Sequence, residues 1–260
     1  MRPIIKRLIH ALHALLLTLL ASTAISAFAQ TTALRVYGPG GPAPAMKEAA
    51  AAFEKKTSIK VEVTAGPTPQ WLDKAKADAD VIYSGSETMM SDFVVAMDGR
   101  TAGADVQPLY LRPLAILVRP GNPRKIAGLR DLLVPGVKVL VVNGAGQNGV
   151  WEDMAGRKGD INSVRDLRRN IVAYAKNSAE ARQTWTDKLE IDVWLIWNIW
   201  QVSNPSLADV VAIEPDYAIY RDTGAVLTQQ GKAGTAGRQF IDFLASPEGA
   251  AIFRKWGWIA

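Results

Sequence analysis

The chain predicts an α/β protein made of two β/α units joined by two extended crossings. Three observations point there. Short apolar runs alternate with amphipathic ones. Turns rich in glycine, proline and serine separate them. Two long stretches of alternating apolar character, near residues 110–118 and 215–224, run without an intervening helix. The chain has 260 residues, 48% hydrophobic and 21% charged, an ordinary globular composition with length for one large domain or two modest lobes.

The N-terminus reads as a leader. Arg2, Lys6 and Arg7 precede an apolar run over residues 8–20, and small residues follow, ending in Ala27-Phe28-Ala29 before Gln30. This is the layout of a secretory signal peptide over residues 1–29 with an A-x-A cleavage site. An uncleaved anchor is the other reading, but the apolar core is short for a membrane span. There is no cysteine for a lipobox and no twin-arginine pair. Cleavage would leave 231 residues, and losing three cations and no anions takes the net charge from +5 to +2. So balanced a chain is a poor electrostatic match for nucleic acid. The expectation is a soluble protein in an oxidising compartment. The two histidines, His10 and His13, lie within the leader. A mature chain with neither imidazole nor thiol excludes Ser-His-Asp and Cys-His catalysis and the usual zinc, haem and iron–sulfur ligand sets.

Each element has its own signal. Residues 34–37 read as a strand, and Gly38-Pro39-Gly40-Gly41-Pro42 as a turn. Residues 45–56 are alanine-rich with Met46, Ala49, Ala50 and Phe53 at helical spacing. Residues 59–63 alternate as a second strand closed by Gly66-Pro67, residues 71–77 form a short helix, and residues 81–83 a third strand. Ser84-Gly85-Ser86 opens a helix with Glu87 in its first turn. This β-α-β-α-β-α order implies parallel strands with helical crossovers. Residues 106–118 are extended around Arg112-Pro113, and the pattern then restarts with a buried strand at 137–142. Helices are expected at 150–155, at 162–175 and from Ser178, then strands at 192–197 and 210–213 and an extended run over 217–227. The end is helical: residues 234–244, then Ser246-Pro247-Glu248 as N-cap, first-turn proline and acid of a helix running to Lys255. The domain reading is residues 30–111 with 222–260 as one lobe and 112–221 as the other. A cleft between lobes suits a small molecule.

The turns carry the chemistry. Gly40 and Gly41, Ser84, Gly85 and Ser86, the run Asn143-Gly144-Ala145-Gly146-Gln147, and Asn177 with Ser178 all sit where strand passes to helix. In a parallel α/β sheet such turns emerge together at the carboxyl edge, where ligands bind. Their backbone N–H groups and the helix dipole favour an anion. One such turn is routine, since glycine and serine are ordinary turn residues, but four in register, two per lobe, point to an anion bridging the lobes. Arg112, at a crossing, reads either as a bidentate partner of a carboxylate or phosphate or as a salt bridge to the neighbouring lobe. Trp194, Trp197 and Trp200 read as core, and Asn198, at the end of their strand, as the ligand candidate. A bare oxyanion would need a small dry site of neutral donors, whereas a carboxylate or phosphate metabolite needs more room and an arginine.

One motif gives an alternative. Gly144-x-Gly146-x-x-Gly149 follows a strand and precedes a helix, as in the dinucleotide-binding turn of an NAD(P)-dependent oxidoreductase. That fingerprint also needs a second strand ending in an acid about 20 residues on, and residues 164–169 read instead as a solvated helix face. No Gly-Lys-Ser/Thr follows these glycines, so a Walker A site fails. Glu87, Asp92, Glu152 and Asp153 are too scattered to suggest a metal site.

Several stretches resemble a known family: Gly38-Pro39-Gly40-Gly41-Pro42, Tyr83-Ser84-Gly85-Ser86-Glu87-Thr88-Met89-Met90, Leu109-Tyr110-Leu111-Arg112-Pro113, Val142-Asn143-Gly144-Ala145-Gly146-Gln147, Trp151-Glu152-Asp153-Met154-Ala155-Gly156-Arg157 and Trp194-Leu195-Ile196-Trp197-Asn198. Together they resemble the accessory colonisation factor AcfC family of periplasmic solute-binding proteins. Ser246-Pro247-Glu248-Gly249-Ala250 with Phe253, Trp256 and Gly257 is similar to the C-terminal helix of the wider molybdate/sulfate-type class. The resemblance covers essentially the whole mature chain. It implies a type II periplasmic-binding-protein fold that closes over a small anion, as a monomer or homodimer, with no cofactor and no catalysis. The closed form would be read by an ABC-type permease or a chemoreceptor. Loop for loop, it implies the same ligand shell: Gly40, Gly41, residues 84–86, Arg112, residues 143–147, Asn177, Ser178 and Asn198.

Overall fold

The computed structural model describes residues 33–260, so the expected leader lies outside the described residues. β1 (Leu34–Gly38) leads through α1 (Ala43–Thr57) to β2 (Val61–Ala65), and α2 (Leu72–Asp78) leads on to β3 (Val81–Tyr83). β1 pairs in parallel with both β2 and β3. α1 forms because Ala45, Met46, Ala49, Ala50 and Phe53 fall on one buried face, with prolines at its start and Ser58 in the left-handed conformation at its end. Phe53 packs 5.3 Å from Phe240 and 5.6 Å from Phe243, each such ring worth about 1.5–3 kcal/mol when fully buried. These partners belong to α10 (Ala236–Leu244), and the last helix, α11 (Pro247–Lys255), also returns to α1 through Lys56–Glu248 and Lys255–Glu48 ion pairs.

After α3 (Glu87–Ala96), β4 (Gln107–Val118) runs through the middle of the molecule. Its first part, to Pro113, pairs antiparallel with β9 (Tyr220–Leu227), and its second part, from Leu114, pairs with β7 (Val193–Trp197) and β8 (Asp209–Ala212). β5 (Val139–Val142) sits parallel to β7 and to β6 (Ile171–Ala175). The strand order is β2-β1-β3-β9-β4-β7-β5-β6, with β8 against β4. β4 thus joins two groups of parallel strands, and Arg112 sits where its partner changes from β9 to β7. β5 and β7 are buried along their whole length, as uninterrupted VLVV and VWLIW runs dictate for strands covered on both faces.

The structure corrects several readings. The expected helix over 162–175 is two elements: α6 (Ile161–Asn170) and then β6. Buried Asn170 ends the helix by donating from Nδ2 to the carbonyls of Leu132 and Val134, at 2.7 and 2.8 Å. The alternation in Ile171-Val172-Ala173-Tyr174-Ala175, with Val172 and Tyr174 exposed, is that of an edge strand. β2, β5 and α10 each start two residues later than expected, and the extended run after 217 begins at Tyr220, behind a short 3-10 turn at Pro215–Tyr217. Three one-turn helices, α4 (Leu129–Leu132), α8 (Ile199–Val202) and α9 (Gln229–Lys232), carried no sequence signal. The remaining helices are α5 (Val150–Ala155) and α7 (Ser178–Asp187).

Candidate functional site

The turns that follow β1, β2, β3, β5 and β6 surround a cavity of about 420 Å³. Its lining brings together Gly40 and Gly41 after β1, Gly85 after β3, Ala145 and Gln147 after β5, and Asn177 and Ser178 after β6, with Arg112 from β4. The lining is mainly apolar, with Pro39, Pro42, Pro67, Pro69, Met89 and Trp200 among its walls. Its two cationic residues are Arg112 and Lys176, and no carboxylate occurs among the described residues that line it.

Arg112 is 3% exposed. Its Nη2 donates to the Gly85 carbonyl. Nε is buried with no partner, and among the described residues no carboxylate lies within ion-pair distance. The salt-bridge reading of Arg112 therefore fails. Two turn glycines flank the guanidinium: a Cβ at Gly41 would lie 2.9 Å from Nη1, and one at Gly85 would lie 2.8 Å from Nη2. A side chain at either position would crowd the arginine head, which would have to shift. Burial pulls the pKa of the guanidinium from 12.5 down to about 9, with Asp222 opposing, so the group stays cationic at neutral pH. A buried cation without a counterion costs free energy, and it gains most from an anion supplied by solvent.

The other turns divide between lining and scaffolding. Gln147 reaches the cavity and donates from Nε2 to Ser178 Oγ at 3.0 Å, tying the β5 turn to the β6 turn. Asn177 caps α7 by accepting from the Glu180 N–H at 3.0 Å, so the N-terminus of that helix opens on the cavity. Ser84, Ser86, Asn143, Gly144, Gly146 and Asn198 do not line it. Ser84 is consumed in joining β3 to β9, where its Oγ accepts from the Gly224 N–H and its carbonyl accepts from Thr223 Oγ1. Ser86 is the N-cap of α3, accepting from the Met89 N–H at 3.1 Å, and its Oγ also donates to the Gly146 carbonyl at 3.3 Å. Asn143 is exposed, and Gly144 packs on the Lys176 carbonyl. Asn198 faces the C-terminus, where Nδ2 donates to the Gly257 carbonyl at 2.7 Å.

Sequence reasoning missed Thr68, Lys176 and Trp200 as lining residues. Gly66-Pro67-Thr68-Pro69 is also a strand-to-helix turn, and its composition could have flagged it. Lys176 was hidden because β6 was read as helix. Trp194 and Trp197 are core, as expected, but Trp200 lies past the strand on α8 and faces Gly40 and Gly41. The dinucleotide reading of Gly144-x-Gly146-x-x-Gly149 is not supported. The strand that follows, β6, ends in Ala175-Lys176-Asn177 without an acid, and the Lys176 carbonyl fills the space beside Gly144.

Comparison with known proteins bears on the fold and the family. The crystal structure of Peb3 from Campylobacter jejuni superposes with a TM-score of 0.81 at 38% identity, covering 87% of this chain and 99% of that one. L-phospholactate-bound PEB3 gives a TM-score of 0.83 at the same identity and coverage. The sulfate-binding protein SubI from Mycobacterium tuberculosis H37Rv shares the fold, with a TM-score of 0.71 at 17% identity over 87% of this chain and 86% of that one. By sequence, a sulfate-binding protein of Synechococcus elongatus is 27% identical over 164 residues, or 55% of this chain. The match covers 45% of that relative, so the chain spans about half its length. The profile of the bacterial extracellular solute-binding proteins matches residues 34–259. With a type II binding-protein fold and that match over nearly the whole described chain, the protein belongs to the bacterial extracellular solute-binding protein family.

Proposed function

We propose that this chain is a periplasmic receptor that binds a small organic anion, a carboxylate or phosphate metabolite, and makes or breaks no covalent bond. The observation that carries the reading is Arg112, a buried cation with no carboxylate partner among the described residues, facing a cavity walled by glycine turns. The cavity, about 420 Å³ before any closure of the lobes, has room for an organic body beside an anionic head. Apolar walls suit an organic body, and Arg112 with Lys176 suits an anionic head. The PEB3 structure with L-phospholactate supports this class over bare sulfate or molybdate. The motifs quoted above support membership of the AcfC group within the family.

On this reading the residues that contact the anion are Gly40, Gly41, Gly85, Arg112, Ala145, Gln147, Asn177 and Ser178, with Thr68, Lys176 and Trp200 added. Two lobes, residues 30–111 with 222–260 and residues 112–221, would close over the anion by flexing β4 and β9. Closure would exclude water and strengthen each polar contact, and a permease or chemoreceptor would read the closed form. The test is a thermal-shift and calorimetric panel of L-phospholactate, phosphoglycerates, citrate, sulfate and molybdate. Stabilisation by at least one of the organic anions is expected. A response to sulfate or molybdate alone would replace this reading with a bare-oxyanion one, and no response to any anion would end both.

A further inference from the structure

The Arg112 head lies over two tryptophan rings. Its guanidinium carbon is 4.5 Å from the Trp197 ring centroid and 5.2 Å from that of Trp258, and both rings are buried. Trp197 ends β7, beside the site. Trp258 comes from the other end of the sequence, the short tail after α11, and this tail is pinned to the strand that carries the arginine. The Ile259 N–H donates to the Leu111 carbonyl at 2.7 Å, and the Leu111 N–H donates back to the Ile259 carbonyl at 3.1 Å. The bridge therefore closes one residue before Arg112. Gly257 turns the tail with φ +86°, and a Cβ there would meet Asn198 and Val202 at 3.0 Å. Trp258 stands edge-on to Phe253 at 5.8 Å, so its plane is set by the core.

We propose that Trp258 is a positioning residue for anion binding: with Trp197 it forms an aromatic clamp that holds the Arg112 guanidinium charged and aimed into the cavity. The proposal rests on the reading that Arg112 receives the anion. With no carboxylate in ion-pair range, a buried cation needs another electron-rich surface, and tryptophan faces supply the strongest that aromatic side chains offer. The Gly85 carbonyl takes one N–H, and the rings leave the edge of the guanidinium for the ligand. The C-terminal tail thereby sets the affinity of a site that it does not line.

The test compares Trp258→Leu with Trp258→Phe in the full mature chain, alongside Arg112→Met. Calorimetry uses L-phospholactate, citrate and sulfate as probes from pH 7 to 10. Both Trp258 variants lose ring volume, and similar losses in melting temperature are expected. Phe keeps an aromatic face and should bind within a few-fold of wild type, whereas Leu should weaken binding by about tenfold or more. Leu should also move the alkaline loss of affinity to lower pH, which a packing defect alone would not do, and should add nothing in an Arg112→Met background. Equal affinities and pH profiles for Leu and Phe, with Arg112→Met still defective, overturn the clamp and leave the anion reading standing. Undiminished binding in Arg112→Met, or no binding of any probe by wild type, removes the anion reading and the clamp with it.

Discussion

Replacing Arg112 with methionine should move stability and binding in opposite directions. In the unliganded protein the guanidinium is 3% exposed, its Nε has no acceptor, and one carbonyl plus two ring faces stand in for a counterion. Its depressed pKa, about 9, records that the fold disfavours the charge. Exchanging a buried ion pair for apolar residues of similar volume is often neutral or stabilising, by up to about 4 kcal/mol, and a lone buried cation lacks even the pair's attraction to offset its desolvation. Losing the Gly85 hydrogen bond and the ring contacts offsets part of that gain, so about 1 kcal/mol is expected to remain. For a chain of this size that is a rise in Tm of roughly 2–4 °C. With the anion the sign reverses, because removing a buried charged partner costs about 2–5 kcal/mol of affinity, roughly 30- to 5,000-fold. Differential scanning calorimetry with and without L-phospholactate reads both quantities in one experiment. If the ligand-free Arg112→Met protein melts well below wild type, the guanidinium is a structural strut and not a group that awaits a ligand.

The same arginine gives a pH prediction: binding is complete below pH 9 and falls as pH rises through about 9, where the free protein loses the charge; calorimetric titrations across pH 7–10 should find this slope in wild type and not in Arg112→Met. Gly146→Ala should destabilise more than Gly149→Ala. Both have positive φ, +72° and +74°, a strain of about 1–2 kcal/mol for an L side chain. Only at Gly146 would the Cβ also meet Ser86 Oγ and Met89 Cβ at 2.8 Å, whereas at Gly149 nothing lies within 4 Å. The overlap adds about 1–3 kcal/mol, and equal urea midpoints for the two variants would contradict the contact. Glu48 accepts from Lys255 at 2.8 Å and from Trp256 Nε1 at 2.7 Å, which holds its pKa below the ordinary 4.5. Its contribution is therefore full above pH 4.5 and is lost as pH falls through the lowered value. Glu48→Gln should flatten that acid limb in pH-dependent melting and leave anion affinity unchanged.

Much of the fold was legible because its signals are local. The helix at 43–57, the strand at 81–83, the Ser86 and Ser246 caps and the buried VLVV and VWLIW runs each follow from spacing within a few residues. β6 was not legible in that way. Val172 and Tyr174 face outward on an edge strand, so the segment lacks the apolar density that marks β5, and the basic helix before it ran on unbroken in the pattern. What ends that helix is Asn170 bonding to carbonyls 36 and 38 residues away.

The site divides along the same line. Which turns could hold an anion followed from composition, since glycine, serine and asparagine between strand and helix leave backbone donors unpaired. Which members of each turn reach the cavity depended on neighbours distant in sequence. Ser84 is taken by Thr223 and Gly224, Ser86 caps its own helix and meets Gly146, and Asn198 is drawn to Gly257. The sequence by itself determined the alternation of strand and helix and the glycine turns, because backbone sterics and hydrophobic period act over short range. Only the tertiary structure decided that Arg112 has no carboxylate partner among the described residues and packs against the Trp197 and Trp258 rings, because a charge's environment is set by whatever the fold packs against it.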